Sequence, residues 1–235
     1  MRHLYRIIAV NLAAGLVVFA TGLSGTASAI VNGNMTKELP PGVVQVAAFT
    51  PTGAFGCAGT LIDTKWVLTA AHCLEGATAA GIIYGSVIAG EGTVVRAEEW
   101  YINQGTDVAL LKLVASAASA TVPLARSDPQ AGDTGYAYGW GVTETGYTSK
   151  SLKWATEKIG TEPCRDKRGG PGMCAGGVDG YVAHGDSGGP LYNYSKGNYT
   201  LIGVVSGSAP NGSVDIFASV AQNRSWINTT TGLNL

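Results

Sequence analysis

Gly185-Asp186-Ser187-Gly188-Gly189-Pro190 sets a serine hydroxyl among glycines, and two other segments carry the groups such a hydroxyl needs. A serine is a poor nucleophile at neutral pH until an adjacent base takes its proton. That base in turn needs a third group to fix its tautomer and stabilise the imidazolium that forms. Thr69-Ala70-Ala71-His72-Cys73 offers an imidazole, and Asp107-Val108-Ala109-Leu110-Leu111 offers a carboxylate. The chemistry this implies is acyl transfer: Ser187 as nucleophile, His72 as base and then acid, Asp107 behind the imidazole. The apolar flank of Asp107 places it on a strand facing a core. Unpartnered, a carboxylate there would carry a desolvation penalty on the order of several kcal/mol, so a partner is implied. Gly185 and Gly188 permit a tight turn that aims the Gly185 and Ser187 amides at a developing oxyanion. Each such donor contributes on the order of 3 kcal/mol.

Gly185-x-Ser187-x-Gly189 also fits the nucleophile elbow of α/β-hydrolases, in which the histidine follows the serine and the acid. The chain has three histidines, His3, His72 and His184, and none follows Ser187. That arrangement is excluded. His3 lies in a segment read as removed. His184 stands three residues from Ser187, has no acid partner in any motif, and reads as a substrate-contacting side chain on the cleft rim. His72 is the base.

The positioning elements follow from the rest of the chain. Residues 1–6 are basic, 7–21 are apolar, and Ala27-Ser28-Ala29 is a small-residue cleavage pattern, so 1–29 reads as a secretory signal peptide. A membrane anchor fits less well: Asn11 interrupts the apolar run and no basic residues flank its distal side. No other segment approaches the ~20 apolar residues of a spanning helix. The expected location is extracellular, with no membrane contact after cleavage. Charged residues make up 13% and the net charge is −1, which gives no reason to expect a nucleic-acid partner. Short Val-, Ile- and Tyr-rich runs at 43–49, 82–84, 93–95 and 201–205 read as strands separated by turn residues. A terminal helix is expected over 220–228, with Val220, Arg224 and Ile227 on one face, and 115–120 reads as a linker. The four cysteines, Cys57, Cys73, Cys164 and Cys174, are even in number behind a signal peptide and read as disulfides, with three possible connectivities. No C-x-x-C spacing or histidine pair supports a metal site, and no cofactor is expected.

The three motif segments closely resemble those of the chymotrypsin-like (trypsin-fold) serine proteases, and the resemblance runs from Ile30 to the region of Trp226. It implies an all-β fold of two antiparallel six-stranded β-barrels with a C-terminal helix and the catalytic cleft between the barrels. The protease domain would span 30–235, with barrels over about 30–118 and 119–235. It also implies a secreted serine endopeptidase, monomeric, acting on proteins or peptides and open to protein protease inhibitors. A catalytically weak binding or regulatory protein on the same fold is the alternative. The resemblance pairs Cys57 with Cys73 and Cys164 with Cys174. It gives Gly139-Trp140-Gly141 a packing role.

In that family a new α-ammonium folds inward onto the aspartate beside the nucleophile. Here the pair would be Ile30, exposed by a cut after Ala29 with no propeptide between, and Asp186. Tyr181 occupies the position of the pocket-base aspartate that binds Arg or Lys, and Asp215 aligns with a pocket wall. Ser206-Gly207-Ser208 corresponds to the segment that pairs with substrate backbone through Ser206 and Ser208, with Gly207 in place of a tryptophan. The expected pocket is shallow and suits small or medium uncharged side chains.

Overall fold

The computed structural model describes residues 30–209 and 212–235; the signal-peptide reading for 1–29 lies outside the described residues. After a short strand β1 (Asn34–Met35), six strands build the first barrel: β2 (Val43–Thr50), β3 (Gly53–Asp63), β4 (Trp66–Thr69), β5 (Ala79–Tyr84), β6 (Thr93–Ile102) and β7 (Ala109–Leu113). They close in the order β2-β3-β4-β7-β6-β5, with β2 pairing back onto β5. Closure removes the exposed edges an open sheet would leave. Along β2, Val44, Val46 and Ala48 alternate inward and meet Leu61, Val67, Ile82 and Leu111 in the barrel core.

β3 is the strand that composition hides, because its sequence Gly-Ala-Phe-Gly-Cys-Ala-Gly is poor in strand formers. Gly59 explains it. A β-carbon there would press on Val46 and Val67 at 2.9 Å, so the bare backbone is what lets three strands approach. β6 is likewise longer than its Thr93-Val94-Val95 core, because its second half pairs with β7 around a register shift.

The second barrel comprises β8 (Thr134–Gly139), β9 (Lys153–Ile159), β11 (Pro171–Gly177), β12 (Pro190–Ser195), β13 (Asn198–Ser208) and β14 (Asp215–Ser219). The order is β9-β8-β12-β13-β14-β11, and β11 pairs back onto β9 to close it. β10 (Cys164–Arg165) makes a short hairpin with β11, while β1 adds to β9 from the far end of the chain. The expected architecture, two six-stranded antiparallel barrels, is the one observed. One buried cluster bridges them, with Leu68, Val108 and Leu110 from the first and Tyr138, Tyr192 and Val204 from the second.

Residues 114–133 cross between the barrels without a strand or helix. Ala117 plugs into the first barrel's core, its amide donating to the Thr64 carbonyl at 2.7 Å. The terminal helix α1 (Val220–Thr231) starts on the Ser219 hydroxyl, which accepts from the Gln222 amide, and stops at Gly232 in the left-handed region, φ 71°. It runs three residues past the expected end because the first residue able to take that cap is Gly232. Val220, Asn223 and Ile227 are its buried residues, while Arg224 reaches out to the Leu124 and Ala125 carbonyls.

Candidate active site

His72 sits on a single 3-10 turn, Ala71–Leu74, directly after β4. A disulfide from Cys73 to Cys57 on β3 ties that turn to the barrel wall. Asp107 lies just before β7, fully buried. One carboxylate oxygen accepts the His72 backbone amide at 2.9 Å and the other faces the His72 Nδ1 at 2.8 Å. The two contacts fix both the turn and the ring, and orient Nδ1–H toward the acid so that Nε2 is left for a proton acceptor's role.

A third group completes this shell. β13 bulges against β14 between Val205 and Gly207, so Ser206 has no cross-strand partner and its side chain is re-aimed. The Ser206 hydroxyl donates to Asp107 Oδ2 at 2.6 Å. Burial works to raise the Asp107 carboxyl, but the hydrogen bond and charge of His72 and the Ser206 hydroxyl outweigh it, and it lies below its ordinary value. The sequence assigned Ser206 to substrate contact; its side chain is turned inward onto the acid.

Ser187 shares a cleft of about 380 Å³ with His72, His184 and Gly185. Its turn is clamped between barrels: the Ser187 carbonyl accepts the Ala58 amide of β3 and the Gly188 amide donates to Val205, both at 2.8 Å. Gly185 and Gly188 have φ of +95° and +78°, which side-chain-bearing residues rarely adopt. The Asp186 and Gly188 amides are taken by the Ala183 and Val205 carbonyls. The Gly185 and Ser187 amides meet no acceptor among the described residues.

Asp186 points away from this cleft into the second barrel and is fully buried. Its two oxygens accept the Gly141 amide at 2.7 Å and the Ala183 amide at 2.9 Å. Gly139 and Gly141 are needed because β-carbons at either position would overlap the carboxylate. The Gly139-Trp140-Gly141 segment is therefore a carboxylate cradle as well as a packing element. Burial raises the Asp186 carboxyl to about 7, against the two amide hydrogen bonds and the Lys153 charge that lower it. Ile30 is buried too, its carbonyl held by the Lys153 ammonium at 3.3 Å.

Of the residues expected to contact substrate, His184 lines the cleft with Ser187, whereas Tyr181, Ser206, Ser208 and Asp215 do not. Tyr181 bridges to Val31, and its ring lies flat against Gly212, where a β-carbon would come within 2.6 Å of three ring atoms. Asp215 is fully buried, accepts the Val182 amide at 3.0 Å and does not line the cleft. It faces Glu157. Burial and the charge of Asp215 raise the Glu157 carboxyl to about 10, and burial raises Asp215 to about 6 against the hydrogen bonds from Val182 and Glu157 that lower it. Ser208 is half-buried opposite Asp215 in the sheet.

Asp166 escaped the sequence reading. It is 4% exposed, and its carboxylate accepts from the Thr106 hydroxyl (2.7 Å) and from the amides of Asp107 (2.8 Å), Arg168 (2.9 Å) and Gly170 (2.8 Å). Sitting in Cys164-Arg165-Asp166-Lys167-Arg168, it has the appearance of a solvated turn. Its hairpin is closed by the Cys164–Cys174 disulfide and reaches across to the loop that carries Asp107.

Two closed barrels meeting at a Ser-His-Asp cluster define a serine-protease fold. Comparison with known proteins agrees. The family described as Trypsin matches residues 30–227, and the chain belongs to that family. It is 34% identical to trypsin of Saccharopolyspora erythraea, an alignment covering 74% of this chain and 86% of that one. It is 31% identical to chymotrypsin-like elastase family member 1 of Bos taurus (76% and 79%) and 29% to brachyurin of Leptuca pugilator (80% and 93%). Among solved structures, HL collagenase superposes with a TM-score of 0.70 at 25% identity, covering 88% of this chain and all of that one.

Proposed function

We propose that this chain is a secreted serine endopeptidase with His72, Asp107 and Ser187 as its catalytic triad. The observation that carries the reading is the pairing of a doubly anchored His72–Asp107 unit with a serine turn that lines the same cleft and leaves its Gly185 and Ser187 amides without an acceptor among the described residues. Ser187 Oγ attacks the peptide carbonyl as His72 Nε2 takes its proton. The carbonyl oxygen, now anionic, is held by the Gly185 and Ser187 amides. Collapse expels the amine, which takes the proton back from His72, and leaves an acyl-enzyme. Water then enters by the same route, with His72 again as base, and releases the acid. Asp107 keeps its charge throughout and stabilises the imidazolium. Its buried carboxylate suits that task because three hydrogen bonds hold it ionised.

The pair of Ile30 and Asp186 belongs to the same reading. Cleavage after Ala29 gives Ile30 an α-ammonium, and Asp186 is a buried carboxylate whose hydrogen bonds come from amides alone. The natural partners are proteins or peptides. A sulfonylating or phosphonylating reagent should label Ser187 stoichiometrically, and Ser187→Ala or His72→Ala should lose about 10³-fold or more in kcat/KM on a protein substrate. Labelling at a different serine, or a fully active His72→Ala variant, would sink the assignment.

A further inference from the structure

Among the described residues, Lys167 is the only Lys, Arg, Asp or Glu lining the cleft that holds His72 and Ser187. Its neighbours on the hairpin are spoken for: Asp166 is engaged by four donors, and Arg168 pairs with Glu75 at 3.2 Å. Among the described residues no carboxylate pairs with the Lys167 ammonium. The side chain is exposed, yet its base is fixed. The Lys167 amide donates to the Ser206 hydroxyl at 2.9 Å, the same hydroxyl that donates to Asp107, and the Cys164–Cys174 disulfide closes the hairpin on which it stands.

Gly207 gives the ammonium its direction. A β-carbon there would stand 3.8 Å from Lys167 Cδ and Cε and 4.0 Å from Nζ, so the alkyl stem lies over the bare backbone of β13. A long cationic side chain covers apolar surface with its stem and leaves its head in water. Here the head is delivered to the cleft wall. A peptide lying in the cleft meets one unpaired cation and no carboxylate at its walls, so an acidic side chain gains a partner that an uncharged one does not.

We propose that Lys167 is a specificity-determining residue, reading an Asp or Glu side chain at one fixed substrate position beside the scissile bond. This rests on the endopeptidase reading above.

The test is cleavage profiling with enzyme purified from the medium of a host secreting the full chain. Matched peptides carry Asp against Asn, or Glu against Gln, at each position around one cleavable bond. The wild type should favour the acid about 3- to 5-fold at a single position, the scale of a partly exposed ion pair. Raising the ionic strength toward 1 M should shrink that ratio. Lys167→Ala should bring it to about one, and Lys167→Glu should invert it in favour of Lys or Arg. A wild-type ratio of one at every position, or an acid preference that survives both substitutions, overturns the assignment alone. Absence of any cleavage that depends on Ser187 overturns the endopeptidase reading and Lys167 with it.

Discussion

At the scale of single residues, we propose that Tyr181, rather than a carboxylate, limits the side chain accepted before the scissile bond. Its ring stacks on Gly212, and the acid that could attract a cation, Asp215, is buried against the Val182 amide and does not line the cleft. Uncharged small or medium side chains are the expected preference just before the scissile bond. Replacing the ring tests the arrangement. Tyr181→Ser removes the plug and opens a path toward Asp215, so cleavage after Arg and Lys should rise about tenfold relative to cleavage after Ala. Adding Asp215→Asn should take that gain away. A library profile of Tyr181→Ser that still lacks basic residues, or a gain untouched by Asp215→Asn, would show that Tyr181 is not what separates Asp215 from substrate. Such side-chain logic is only partly legible in a sequence. The triad can be read because each member carries its own local segment. Glu157, Lys153 and Asp166 cannot, since a charged residue in a short strand or turn normally faces water, and only the closed barrel shows that these three are buried.

At the scale of elements, the site is assembled by loops that the two barrels exchange. The hairpin between β10 and β11 sends Asp166 into the first barrel, where its one carboxylate holds Thr106 and Asp107 on one side and its own turn on the other. β3 offers the Ala58 amide to the Ser187 carbonyl in return. The barrels were legible from the spacing of the apolar runs and from the family resemblance. The exchange was not, because it depends on hydrogen bonds between residues some sixty positions apart. Asp166→Ala leaves three amides, two of them buried, and one buried hydroxyl without their acceptor. The expected cost is about 3 kcal/mol of stability, since each orphaned donor loses on the order of 1 kcal/mol or more. Because Asp107 is displaced, kcat should fall several-fold, and on a substrate without acidic side chains, which gives Lys167 nothing to read, KM should stay nearly constant. Urea unfolding and steady-state kinetics on one substrate check both halves. A variant with unchanged stability, or a change confined to KM, would show that Asp166 does not position the acid.

At the scale of the whole molecule, the start of the chain belongs to the second barrel. β1 pairs with β9 and Val31 bridges Tyr181, so Ile30 reaches the Lys153 ammonium whose charge also acts on Asp186, and we propose that a free Ile30 ammonium would pair with that carboxylate. In a chain extended beyond Ile30, that nitrogen is an amide and carries no charge. Asp186 then has two amide donors and the Lys153 ammonium nearby, itself weakened by burial, and its carboxyl rises to about 7 from 3.8. The sign follows from proton counting. Between those values the folded chain holds a proton that the unfolded chain has released, so stability falls as pH rises across the interval, by up to about 4 kcal/mol. A free Ile30 ammonium holds Asp186 ionised and removes that slope. Protein beginning at Ile30 should therefore gain stability over protein beginning at Ala29 as pH is raised from about 5 to 8, and only the former should be fully active. Asp186→Asn in the longer form should flatten its pH dependence while leaving it inactive. Urea unfolding of the two forms at both pH values isolates the effect, because the buried Glu157–Asp215 pair contributes equally to each. Parallel slopes together with equal activity would mean that Asp186 takes its counter-charge from elsewhere, with Lys153 the nearest buried cation able to supply it.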